Sequence, residues 1–313
     1  MSAGTPETVA EIARPVGRNA LERRSGRQSA GLYRQAMHRF SQDHLAMVSL
    51  FIFLVILAFV VFAPVVSKLT GFNYYENHLS EKLSAPGENG YLFGSDANGR
   101  DILTRLAYGG RATLLVAFVA TVSEIAFGMG FGITAGYFGK WVDTIIMRFV
   151  DIMLSIPTIP LLILVTTLFR PGLALLSVII GAIYWPSDAR LIRGEVKSLR
   201  GREYIEAARV VGAPSLRIIL RHLVPNVTPI MLVQASLAIP AAILTEAVIS
   251  FLGLGIQVPE PSWGNMLDEA QKFFRTNWTN VFFPGMMIYI TSLVLYLVGI
   301  GLRDALDPRL RNP

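Results

Sequence analysis

Apolar positions in this chain gather into long unbroken runs separated by shorter polar stretches. "LAMVSLFIFLVILAFVVFAPVV" (45–66) and "VFFPGMMIYITSLVLYLVGIGL" (281–302) contain no ionisable residue. A helix needs about 20 apolar residues to cross a hydrocarbon core of roughly 30 Å. Both runs satisfy this, and they read as membrane spans. Four more runs lie between them, at 112–136, 145–169, 172–186 and 227–252. Glu124 interrupts the first of these four, Arg148 and Asp151 the second, and Glu246 the last. The pattern predicts an all-α polytopic membrane protein with six transmembrane helices and both termini on one side.

Charge then chooses the side. With the N-terminus inside, the inner segments hold 20 of the 28 Lys and Arg residues and the outer segments hold 8. Such a bias favours an N-in, C-in orientation, and it explains the net charge of +6 without nucleic acid. Charged residues make up 16% of the 313 positions, against about a quarter in soluble domains. The first run follows 44 residues and is too long for a removable signal peptide. The absence of cysteine excludes disulfides, thiolate metal sites and cysteine nucleophiles.

The expected layout begins with a cytoplasmic tail and interfacial helix over 1–44. Residues 1–30 lack apolar periodicity and read as a disordered tail. Tyr33, Ala36, Met37 and Phe40 fall at helical spacing, which suits a short helix lying on the membrane face. The first span (45–66) and an external segment (67–111) follow. The main transmembrane domain occupies 112–302 and includes a polar loop at 187–226. A cytoplasmic C-terminus closes the chain at 303–313.

The polar loop contains "EYIEAARVVGAPSLRIILRHLVPN" (203–226) and carries a net charge of +4 across 187–226. Val196, Leu199, Ile205, Ala208 and Val211 form an apolar stripe, predicting a helix over 194–211. Gly212 is suited to the left-handed conformation that stops a helix, and Pro214 to the first turn of the next. A second helix, "SLRIILRHLV", should end before Pro225. The predicted unit is a helix–turn–helix in which small Ala207, Ala208 and Gly212 let another surface approach the backbone. Glu206 and nearby arginines would orient that surface. The plainer alternative is a loop whose charges merely retain it inside the cell. A DNA-reading role fits poorly, because spans tether the loop at both ends.

On the outer side, Asn98-Gly99 signals a turn and Asp101 a helix start. Ile102, Leu103, Leu106 and Ala107 would share one face of an external amphipathic helix leading into the second span. "VPEPSWGNMLDEAQ" (258–271) is stiffened by Pro259 and Pro261, and Trp263 suits a membrane interface. Among ionisable groups within spans, Arg148 and Asp151 are spaced to pair with each other. Glu124 reads as a helix-to-helix bond, and Glu246 as facing the pore or a partner subunit. Gly128, Gly132 and Gly136 recur every fourth residue and would admit a closely packed helix. The sequence has no Gly-x4-Gly-Lys-[Ser/Thr] loop, no metal-ligand spacing and no nucleophile–base set.

"EAARVVG" followed by "HLVPN" resembles the EAA loop of type I ABC-importer permeases. "FGSDANGRDILTRLAYGGRATL" (93–114), "EAVISFLGLGIQVPEPSWGNML" (246–267) and "LRDALDPRLR" (302–311) resemble the C-type permease subunit of the dipeptide/oligopeptide/nickel subfamily. The resemblance covers well over half of the chain from Phe93 onward. It implies that Glu206, Ala207, Ala208 and Gly212 dock on a cytosolic ATPase, with Pro225 closing the segment. Val224 stands where the family commonly has Leu, an apolar exchange of little consequence. It also implies a periplasmic gate or docking loop around Trp263, the alternative being an interfacial anchor. Glu246, Ser250 and Trp263 are thereby candidates for the translocation path or its gate.

By the same resemblance the partners are a homologous B-type permease subunit, two cytosolic ATPases, an extracytoplasmic solute-binding protein and membrane lipid. ATP and Mg would be bound by the ATPases and no cofactor by this chain, which is therefore expected not to be an enzyme. The setting implied is a bacterial or archaeal cytoplasmic membrane. The cargo implied is peptide, with nickel complexes or oligosaccharides as alternatives within the subfamily. Two more distant readings are an ATP-independent secondary transporter, which inverted repeats would support, and a membrane scaffold.

Overall fold

The computed structural model describes residues 34 and 36–306. The expected tail at 1–30, Tyr33 and the end of "LRDALDPRLR" lie outside them. Among the described residues the chain is helical, with one isolated antiparallel bridge between Ser95 and Asp101. Residues 36–42 are helical. Ala36 is buried while Met37 is exposed, and Phe40 reaches the backbone at Gly301.

Helix α1 (His44–Val61) starts on Asp43, whose carboxylate accepts from the N–H groups of Leu45 and Ala46. After a break at Phe62, α2 (Ala63–Thr70) ends on left-handed Gly71. Helix α3 (Ile102–Phe138) has 37 residues, a rod of about 55 Å at 1.5 Å per residue. The predicted amphipathic helix and second span are thus one rod, because no proline separates them. Asp101 caps it, as its position suggested, by accepting from Thr104 N–H at 2.7 Å.

The predicted span at 145–169 is broken near its middle. It is two helices, α4 (Lys140–Ser155) and α5 (Thr158–Phe169), bent by 88°. Pro157 is the cause: it has no N–H to continue the ladder and forces Ile156 into extended backbone (φ −93°, ψ 126°). The expected Arg148–Asp151 pair is corrected, since Asp151 accepts from Arg190 at 2.6 Å. Asp143 anchors the start of α4 against Arg193 and Lys197, while Leu162 of α5 packs with Leu176 and Ile180. The bent pair therefore carries the chain from one end of the bundle to the other.

Helix α6 (Leu173–Arg200) runs 14 residues beyond the predicted end of the fourth span. Next come α7 (Glu203–Val210), α8 (Ser215–Ile218), a π-helical turn (Ile219–Leu223) and α9 (Val224–Phe251). The helix expected over 194–211 is thus split at Gly201–Arg202. Pro225 does not close the segment. It lies in the first turn of α9, where its missing N–H breaks no bond, and the helical path continues from Ser215 to Phe251. Helices α10 (Trp263–Ala270) and α11 (Thr279–Leu306) complete the chain.

Five helices among the described residues are long and apolar enough to cross a membrane, and the bent pair makes six. Two ends result. The loop end collects Asp43, the α3–α4 turn, residues 200–223 and the end of α11. The far end collects 62–111 and 252–279. The most extensive seam is α3 on α6, and the glycine stripe makes it possible. A Cβ at Gly128 would lie 2.7 Å from Asp188 Cβ, one at Gly132 2.7 Å from Ala189 O, and one at Gly136 2.8 Å from Val196 Cβ. Gly181 reciprocates from α6, where a Cβ would meet Ala120 O at 2.5 Å.

Candidate functional sites at the two ends of the bundle

At the loop end, α7 is a short platform fixed to the bundle. Ile205 is fully buried in a cluster with Val196, Leu199, Ile133, Tyr137, Ile218, Leu223 and Val227. The guanidinium of Arg209 lies 5.1 Å from the Tyr137 ring centroid, clipping α7 to the end of α3. Glu203 and Glu206 occupy the first turn, where the helix dipole favours acids. The stop is a Schellman motif. Gly212 N–H donates to Arg209 O, Ala213 N–H donates to Ala208 O, and Gly212 sits at φ +80° as its sequence position predicted.

The platform's outer surface is apolar. Val210, Val211 and Leu216 are 87%, 86% and 66% exposed, so Val211 departs from the predicted buried stripe. Glu206, Ala207 and Gly212 are exposed beside them and Ala208 is half-buried. The tip thus brings together four of the sequence-predicted residues, small and flanked by charge. Pro225 is exposed but stands apart, at the base of α9.

At the far end, Glu246, Ser250 and Trp263 do meet, but inside the chain. Glu246 is 0% exposed. Ser250 Oγ donates to its Oε1 at 2.6 Å, and Thr113 Oγ1 donates to its Oε2 at 3.1 Å. Trp263 N–H donates to Thr113 Oγ1, and Ile256 N–H to Ser250 Oγ. The expectation that Glu246 faces the pore or a partner is corrected: its carboxylate is turned inward and ties the 252–263 segment to α3 and α9. Trp263 is likewise no interfacial anchor. It is fully buried, with Nε1–H donating to Leu106 O at 2.9 Å. A Cβ at Gly110 would lie 2.8 Å from its ring, so glycine there makes room for the indole.

A buried charge cluster at the far end escaped the sequence reading. Arg100 bonds Asp96 and Glu269, both at 2.6 Å, and Arg105 bonds Glu269 at 3.0 Å. The arginine side chains are 5% and 1% exposed. Asp96 with Arg100 has the i,i+4 spacing that signals a pair, but Glu269 is over 160 positions away and nothing in its neighbourhood marks it. The cluster clamps the 71–101 segment onto α10. Nearby, Tyr91 is buried and donates to Glu81 Oε2 at 2.7 Å. Burial, then the Glu81 carboxylate, push its phenol well above the ordinary value.

These features define a multi-pass helical membrane protein: an apolar helical bundle, an exposed platform at one end and a locked cap at the other. The chain belongs to the family of inner membrane components of binding-protein-dependent transport systems, whose model matches residues 128–312. Residues 31–86 match the N-terminal transmembrane domain of oligopeptide transport permease C. It is 39% identical over 280 residues to the dipeptide transport system permease protein DppC of Alkalihalophilus pseudofirmus, covering 90% of this chain and 91% of that protein. It is 38% identical over 302 residues to the oligopeptide transport system permease protein OppC of Haemophilus influenzae, covering 96% and 94%. The OppC protein of Escherichia coli is 38% identical over 283 residues, covering 90% and 93%. The chain is a multi-pass protein of the cytoplasmic membrane.

Proposed function

We propose that this chain is the C-type permease subunit of an ATP-driven peptide importer. The observation that carries the reading is the platform at the loop end. Its EAA-like residues, Schellman stop and bare valines occur in a chain aligned almost end to end with peptide permeases. In this reading the loop end faces the cytoplasm, consistent with the Lys and Arg bias. Glu206, Ala207, Ala208 and Gly212 dock on one of two cytosolic ATPases, which bind ATP and Mg and perform the hydrolysis. A homologous B-type subunit completes the translocation path, and an extracytoplasmic binding protein delivers peptide to the far end.

The mechanism follows from rigidity. Ile205 and the Arg209–Tyr137 contact join α7 to α3 and α6, so a push on the platform is transmitted to whole helices rather than absorbed by a loose loop. Nucleotide binding and hydrolysis would shift the bundle between inward-open and outward-open states by rigid-body motion.

The test is Gly212→Pro in the reconstituted complex. Proline holds φ near −65° and has no N–H, so it cannot reproduce φ +80° or the bond to Arg209 O. Membrane insertion should survive while peptide-stimulated ATP hydrolysis and uptake are lost. Normal coupling in a correctly assembled variant would refute the docking role.

A further inference from the structure

Glu124 of α3 and Asp188 of α6 meet at one level of the seam between two membrane-spanning helices: Gly128, one turn past Glu124, packs on Asp188, and Tyr184, one turn before Asp188, lines a cavity with Glu124. Two ionised carboxylates offer only acceptors, and such a contact becomes attractive when one proton lies between them. The helices cannot relieve the contact by parting, because at Gly128, one turn from Glu124, the seam already leaves no room for a Cβ beside Asp188.

The surroundings offer no substitute. Asp188 is 4% exposed, and its Oδ2 has no donor. Its Oδ1 meets only Gln234 Nε2 of α9, at 3.5 Å. The basic residues further along α6 are engaged elsewhere, Arg190 with Asp151 and Arg193 with Asp143, both of α4. Among the described residues, the titratable group that Glu124 and Asp188 each meet is the other carboxyl. Tyr184 of α6 is the remaining titratable group nearby, and its hydroxyl bonds Thr245 of α9 at 3.1 Å. Glu124 itself is half-buried and lines a cavity of about 30 Å³ with Ile180, Tyr184 and three alanines of α9. That is space for a water, which can take a proton from Glu124.

We propose that Glu124 and Asp188 form a proton-binding site within the bundle, holding one shared proton across the α3–α6 seam. The proton bridges the two carboxyls, supplying the orphaned Asp188 with its missing donor. On release it passes to water in the cavity, leaving two anions opposed across a close-packed seam. The proton thus acts as a removable fastener between these helices, whatever cargo the complex carries.

The test uses the assembled transporter, as wild type, Glu124→Gln, Asp188→Asn and the double variant. Infrared difference spectra, wild type minus double variant, should show at neutral pH the loss of one protonated and one ionised carboxyl. Alkaline titration should abolish the protonated band. Loss of two ionised carboxyls instead would overturn the site. ATP-driven uptake gives a second readout. In wild type it should fall on the alkaline side by about tenfold per pH unit, the slope of a single proton. In Glu124→Gln, whose amide donates without titrating, that limb should flatten. Superimposable alkaline limbs would also overturn the proposal, as would a protonated band removed only by cationic peptide. If uptake fails altogether, the infrared result still decides, since it does not depend on the transport reading.

Discussion

Glycine 132 offers a sharp check on the packing, because Gly130, two residues away in the same helix, provides its control. An alanine Cβ at 132 would sit 2.7 Å from Ala189 O and 2.8 Å from Ile192 Cβ. Ordinary carbon contacts lie at about 3.5–4.0 Å, so α3 and α6 must separate locally by roughly 1 Å. The closest atom is a backbone carbonyl, which cannot swing away as a side chain would. Overpacking of this kind costs about 1–3 kcal/mol. At Gly130 an added Cβ would meet nothing within 4 Å beyond its own stretch of helix, and Gly→Ala there should gain up to about 1 kcal/mol of helix propensity. The same propensity gain applies at 132, so the two variants should differ by the overpacking cost alone. That is about 5- to 150-fold in the folding equilibrium. Thermal unfolding of both variants in the same lipid nanodiscs measures the difference. If Gly132→Ala is as stable as Gly130→Ala, the close seam is not the native one and the argument for the carboxyl pair loses its geometric basis.

Trp263→Ala should destabilise the protein by about 3–5 kcal/mol, the range for emptying a buried aromatic site. Trp263→Phe should cost less, losing chiefly the bond to Leu106 O, and comparative unfolding would order the two. Arg105→Met leaves Asp96 and Glu269 with one guanidinium fewer. Breaking such a buried pair costs about 3–5 kcal/mol, read as faster proteolysis of the 71–101 segment, and equal cleavage rates would contradict the clamp. Glu246→Gln keeps an oxygen for Ser250 and should assemble normally, whereas Glu246→Leu strands both hydroxyls and should lower the yield of assembled complex. Equal yields would show that the inward hydrogen bonds do not matter.

The elements with local chemistry were readable in the sequence. Apolar runs specified the spans, the Gly128–Gly132–Gly136 period specified a close seam, and Gly212 specified a left-handed stop. The misreadings have physical reasons. Continuity from Ile102 to Phe138 was hidden because polar and apolar halves of one helix look like two elements. The apolar run at 145–169 continues straight through Pro157, so the run alone does not show the turn near a right angle that this proline produces. Pro225 looked like a terminator because a proline suits both a helix's end and its first turn. Glu246 and Trp263 were placed toward a surface because an acid in a span and a tryptophan near its end usually lie there. Their partners, Thr113 and Leu106, are well over a hundred residues away, and only the folded chain reveals them. The clamp around Glu269 was hidden for the same reason.

The undivided 37-residue α3 has a geometric consequence. It touches the platform through Tyr137 at one tip and carries Arg105 of the clamp near the other. A stiff rod of about 55 Å turns each degree of tilt at one tip into about 1 Å of sideways travel at the opposite tip. A nudge of a few degrees delivered at Arg209 would therefore arrive at the clamp as a displacement wider than a hydrogen bond, with no intervening relay of side chains.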